Sequence, residues 1–150
     1  MKLATALSER ADLQRHLSEL ETRLNNNAKV QEGESPAEDP KLLLQEMDGM
    51  LLRLEELIYR INRTNSETGA GTDSLTALLA RRDVLQKRLQ MLRGFLSNAS
   101  AKVDRYARTE IKIHSTVEVS KLQKDVDRLS KELRELDERI QELNWTTELL

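Results

Sequence analysis

The chain has 150 residues, 33% of them charged and 3% aromatic, with no cysteine and a formal net charge of −2. That length fits one domain, and a composition rich in Leu, Glu, Arg, Lys and Ala belongs to long helices or coiled coils, not to a sheet protein. Disulfides and thiolate metal sites are excluded, and the near-balance of charge argues against a strongly basic nucleic-acid binder.

The first predicted helix covers residues 2–24. Leu13, Leu17, Leu20 and Leu24 recur at alternating steps of four and three behind Leu3, Ala6 and Leu7, which places one apolar stripe on one face. Glu19 and Arg23 are spaced as an i,i+4 ion pair. Residues 25–39 form a loop. Asn25-Asn26-Asn27 ends the helix, Gly33 and Pro36 break further helix, and Glu32, Glu34, Glu38 and Asp39 keep the segment wet. This acidic loop reads as a solvated linker ahead of a cation-binding or partner-binding loop.

The second helix is predicted over 40–65, with Asp39 as N-cap and Pro40 at the first helical position. Its seam, Leu43, Met47, Met50, Leu54, Leu57, Ile61 and Thr64, is flanked by a second row of Leu44, Leu51 and Ile58 and widened by Leu42, Leu52 and Tyr59. A face this broad calls for more than one neighbour, so this helix is expected at the centre of the bundle. The third helix is predicted over 74–103, opening at Asp73 or Ser74, with Arg82 as the odd member of its seam and in need of a buried carboxylate partner. Gly94 weakens it by roughly 1 kcal/mol relative to Ala and would suit a close approach of two backbones.

Period-two alternation through Ile111, Ile113, Ser115 and Val117 predicts an extended strand over 109–115. A lone strand cannot satisfy its own backbone, so its expected partner is the same segment of another subunit. The fourth helix is predicted over 116–144. It opens with the capping-box string Ser115-Thr116-Val117-Glu118 and carries an unbroken heptad seam from Val119 to Leu143, with a tail at 145–150. Asp127–Lys131 and Glu135–Arg139 are spaced as i,i+4 ion pairs. The expected fold is thus all-α, four long amphipathic helices in an antiparallel coiled-coil bundle with one short strand between the third and fourth.

No metal-binding, phosphate-binding or nucleophile motif is present, so no enzyme activity, cofactor or metal is expected. His16 and His114 lie on different elements and read as ordinary surface or boundary residues. The segment Arg81 to Lys112 carries an excess of six positive charges; it reads as a solvated helix face, with nucleic-acid binding as a third-ranked function. Trp145 reads as a tie-down of the C-terminus onto the bundle or a neighbouring subunit, with a recognition tail as the alternative. The interaction candidates are Arg82, Arg105, Tyr106, Glu110, Ile111, Ile113 and Trp145. The N-terminus has no signal-peptide core and no apolar run approaches a membrane span, so a cytoplasmic location is the default.

The strings Asn27-Ala28-Lys29-Val30-Gln31-Glu32-Gly33-Glu34, Pro36-Ala37-Glu38-Asp39-Pro40, Ile61-Asn62-Arg63-Thr64-Asn65, Arg105-Tyr106-Ala107-Arg108-Thr109-Glu110-Ile111-Lys112 and Gln141-Glu142-Leu143-Asn144-Trp145-Thr146-Thr147 resemble the septicolysin-like family of small bacterial proteins. The resemblance implies helical subunits that form homo-oligomers, and the family name implies a pore-forming cytolysin acting on membranes. It carries over no catalytic or binding residue. The chain's own pattern points first to a self-assembling structural or interaction protein whose partner is itself, a ring being one such assembly; the cytolysin is the alternative.

Overall fold

In a computed structural model of the chain, residues 1–101 and 111–150 are described. Four α-helices follow in order: α1 (Leu3–Asn26), α2 (Pro40–Glu67), α3 (Leu75–Ser100) and α4 (Val119–Thr146), with a 3-10 turn at Gly71–Asp73 before α3. The described residues are all-helical and contain no strand; one isolated antiparallel bridge joins Lys2 and Glu148.

Local chemistry fixes the helix ends. Asn27 caps the end of α1, its backbone N–H and its side-chain amide both donating to the Arg23 carbonyl. At the start of α2 the Asp39 carboxylate accepts from the Lys41 N–H at 3.0 Å, and Pro40 occupies the first position. Ser74 caps α3 by accepting from the Ala77 N–H at 3.2 Å. The expected capping box at Ser115 does not form. The Ser115 hydroxyl instead folds onto Val117, donating to its carbonyl at 3.0 Å, and α4 begins at Val119.

The chain divides into two compact units, Met1–Ala70 with Glu142–Leu150, and Gly71–Gln141. In the first, α1 runs antiparallel to α2: Glu9 meets Arg53 at one end and Arg23 meets Glu46 at the other. Leu3, Ala6 and Leu20 of α1 and Leu43, Leu57, Ile61 and Thr64 of α2 are buried. In the second, Leu89 of α3 packs with Val126 and Leu129 of α4, and Leu85, Leu92, Leu96 and Leu133 close around them. Each fully buried Leu or Ile contributes about 1.5–3 kcal/mol relative to exposure.

Three sequence expectations are corrected here. The 109–115 strand is not formed where it can be seen. Ile111 to Ser115 pair with no other segment among the described residues, because side-chain alternation supplies no backbone partner; Thr109 and Glu110 lie outside the described residues. Gly94 marks no close approach, since a Cβ placed there would meet nothing within 4 Å. Within its unit the outer row of α2 is uncovered rather than central, with Leu44, Leu51 and Ile58 exposed.

Candidate interaction surfaces

The long acidic loop is not a free linker. Arg23 clamps Glu38 with its Nε and Nη2, the latter at 2.6 Å, and the Glu38 N–H donates to the Asn27 Oδ1 at 3.0 Å. Arg23 is therefore drawn across the loop to Glu38 rather than simply to Glu19 on its own helix. A similar clamp joins the helices, where Arg53 holds both oxygens of Glu9 and also Glu56 at 2.7 Å.

These clamps perturb titration in one direction. Hydrogen bonds from Arg53 hold Glu9 and Glu56 below the ordinary carboxylate value, and the hydrogen bond from Arg23 does the same for Glu38. Carboxylates lowered in the folded state contribute stability above the unfolded value, about 4.5, which is lost as pH falls through the lowered native values. The groups are solvent-exposed, so the effect is modest. The melting temperature is expected to fall as pH drops from about 6 to about 3, and less steeply in Glu9→Gln. Thermal unfolding followed by circular dichroism measures this; equal slopes for the two proteins would remove Glu9 from the account.

The ends of the first unit are stitched together. The Leu3 N–H donates to the Thr147 carbonyl at 2.9 Å, and the Leu149 N–H to the Met1 carbonyl at 2.8 Å. Lys2 and the Met1 amine both pair with Glu148, and their hydrogen bonds hold its carboxyl below the ordinary range. On α2, the buried Thr64 hydroxyl accepts from the Leu150 N–H at 3.0 Å and donates to the Arg60 carbonyl at 2.8 Å, while Arg60 Nε reaches the Leu150 carbonyl. Leu149 is buried in the clasp.

Opposite the stripe that faces α1, α2 presents large apolar side chains to solvent. Leu44, Leu51 and Ile58 form one row and Leu52 and Tyr59 a second, with Leu52 70% and Tyr59 66% exposed. Asp48 and Glu55, one heptad apart, stand between the rows. Neither joins an ion pair among the described residues, although Glu56, next to Glu55 in the chain, does.

The second unit has an open groove between α3 and α4. Leu85, Leu129 and Leu136 line it; Arg81, Val84 and Arg88 form the α3 bank and Glu132 the α4 bank. The α3 face continues through Met91 and Phe95, and Val84, Met91 and Phe95 are exposed. Arg88 joins no ion pair among the described residues, and Arg81 donates only to the Thr72 carbonyl, at 3.3 Å. Elsewhere on the same helix Arg82 is paired with Asp83, and Arg93 donates to the Ser130 hydroxyl, whereas Arg81 and Arg88 stand one heptad apart on the groove's bank.

Residues 10–149 match the model of a family of unknown function, DUF6847. The chain belongs to that family. It is also similar to a functionally unknown conserved protein from Corynebacterium diphtheriae whose crystal structure is known, at 42% identity and a TM-score of 0.91, over 100% of this chain and 99% of that one. No curated protein matches the chain. The septicolysin-like resemblance is thereby corrected: the DUF6847 match takes in all the strings that carried it, and neither comparison indicates that family or a pore-forming toxin. Several of those strings have structural work in this DUF6847 chain. Asn27 and Glu38 lock the loop, and Thr64 and Thr147 make the clasp.

The residues singled out from the sequence do not converge on one site. Arg82 pairs with the exposed Asp83 rather than with a buried carboxylate. Ile111 and Ile113 are exposed, Ile113 beside Phe95, Asn98 and His114 in a shallow depression. Trp145 is 64% exposed on the last turn of α4, so its ring does not tie the tail to its own chain; Leu149 and the backbone bonds do. Arg105, Tyr106 and Glu110 lie outside the described residues. Sequence reading missed Asp48, Glu55 and the groove, since charge within an apolar face resembles ordinary solvation until the partners of neighbouring charges are known. No cluster of three or more metal-ligating side chains occurs among the described residues, and no described helix is long and apolar enough to cross a membrane.

Proposed function

We propose that this protein is a non-enzymatic helical interaction protein whose primary partner is a second copy of itself. The observation that carries this reading is the uncovered apolar face of α2, where Leu44, Leu51, Leu52, Ile58 and Tyr59 stand in solvent on a helix whose opposite stripe is already buried. Large apolar side chains grouped on one exposed face are characteristic of interaction sites, whereas scattered exposed ones need no explanation. A second copy suits the site because the chain carries another uncovered apolar face, at Val84, Met91 and Phe95, and two such faces can serve each other. The clasp and loop lock support the reading by holding α2 to α1 from both ends, which keeps its free face rigid.

Sedimentation velocity provides the test. The wild-type chain is expected to sediment as an oligomer at micromolar concentration. Leu51→Glu is expected to shift it to monomer at unchanged helix content, because a carboxylate at the centre of an apolar contact must be desolvated. A wild-type chain that is monomeric at every concentration would end this reading.

A further inference from the structure

The two uncovered faces carry the same spacing with opposite charge. On α2 the order is Asp48, Leu51, Glu55, Ile58; on α3 it is Arg81, Val84, Arg88, Met91. Both alternate charge and apolar side chain in steps of three, four and three. In each, the two charges lie one heptad apart, about 10.5 Å along the helix. All eight residues are exposed.

Resting on the self-assembly reading above, we propose that α2 of one copy docks in the α3–α4 groove of the next. The Leu44, Leu51 and Ile58 row would enter the groove above Leu85, Leu129 and Leu136, with Asp48 and Glu55 against Arg81 and Arg88 on its bank.

Three observations favour this contact over α2 meeting α2. Two α2 faces would set the Asp48 and Glu55 rows against each other, and like charges facing across a contact are repulsive. Several neighbouring charges already have partners within the chain: Arg53 holds Glu9 and Glu56, and Arg82 holds Asp83. Asp48, Glu55 and Arg88 join none among the described residues. The groove also suits a helix, having an apolar floor and a cationic bank on one side, as helix-in-groove recognition requires. Such a contact is heterologous: each copy offers one α2 face and one groove. Contacts of that kind run head to tail and generate closed rings or open filaments, rather than a dimer built on one shared patch.

Two charge-reversed chains test the pairing by sedimentation and light scattering at low salt. One carries Asp48→Lys and Glu55→Lys, the other Arg81→Glu and Arg88→Glu. Each is expected to be monomeric alone, its self-association weakened at least 100-fold, because both of its faces then bear the same sign. An equimolar mixture is expected to assemble again, since the altered α2 of the first chain meets the altered groove of the second with opposite charge, and the unaltered α2 of the second meets the unaltered groove of the first as in the wild type. Far-UV circular dichroism checks that both are folded, and recovery on mixing independently shows that they are.

If the Arg81→Glu, Arg88→Glu chain assembles like wild type, the groove is not the docking site; the α2-centred self-assembly reading would survive. If the folded mixture stays monomeric, the charge pairing is wrong. If the wild-type chain is itself monomeric throughout, both this inference and the reading beneath it fall, and the α2 face belongs to a different protein.

Discussion

Leu57→Ala is expected to destabilise the first unit by about 3 kcal/mol, within the range of about 2–5 for Leu→Ala in a well-packed core. Leu51→Ala, fewer than two helical turns away, is expected to stay within about 0.5 kcal/mol in the monomer. The two residues share a helix and a side chain but not an environment. Leu57 is fully buried in the stripe of α2 that includes Leu43 and Ile61, whereas Leu51 is 45% exposed. Truncation at Leu57 removes buried methyl groups and leaves a cavity that the helix backbone can fill only in part. At Leu51 it removes surface that water already touches.

Urea unfolding at a concentration low enough to avoid assembly reads the difference as a shift in midpoint at constant slope. The same pair should behave oppositely in sedimentation. Leu57→Ala should retain the docking face, and Leu51→Ala should weaken association. Equal loss of stability at the two sites would mean that the Leu44, Leu51 and Ile58 row of α2 is covered within the chain, and would remove the basis for self-assembly.

The helices were legible because heptad spacing is a local property of the chain. Leu13 to Leu24, Leu43 to Ile61 and Val126 to Ile140 write their buried stripes directly into sequence, and Asp39-Pro40 and Ser74 mark starts with a mechanism. Expectations failed where a local pattern needed a distant partner. Alternation at Ile111 and Ile113 describes where side chains would point in a strand, but pairing depends on a second segment, and none is found among the described residues. Ser115 matched a capping box in spacing, yet its hydroxyl is taken by Val117 in a tight turn before the helix begins.

Partner choice was the least legible feature. Arg23 has an acidic residue at the favourable spacing on its own helix, but the loop brings Glu38 into bidentate reach, a stronger geometry than a flexible i,i+4 pair. The apolar breadth of α2 was readable as a need for several neighbours. Period alone could not say whether they lie in the same chain, because it reports that a face is apolar and not what covers it.

Thr64→Val is expected to cost about 1–3 kcal/mol, although it barely changes volume. Thr64 is 0% exposed, and its hydroxyl serves two backbone groups, accepting from the Leu150 N–H and donating to the Arg60 carbonyl. Valine keeps the β-branched shape but leaves that N–H facing a methyl group, and the penalty is that of an unsatisfied, partly buried donor. The Arg60 carbonyl keeps its place in the helix, so the loss falls mainly on the clasp. Thr64→Ser keeps the hydroxyl and should retain most of the stability, which separates the hydrogen bond from the packing of the methyl. Amide hydrogen exchange gives the local readout. In Thr64→Val the Leu149 and Leu150 amides should exchange much faster while those near Leu89 in the second unit are unchanged; in Thr64→Ser all should stay close to wild type. Loss of protection in the serine variant as well would show that the methyl group, and not the hydroxyl, holds the tail on α2.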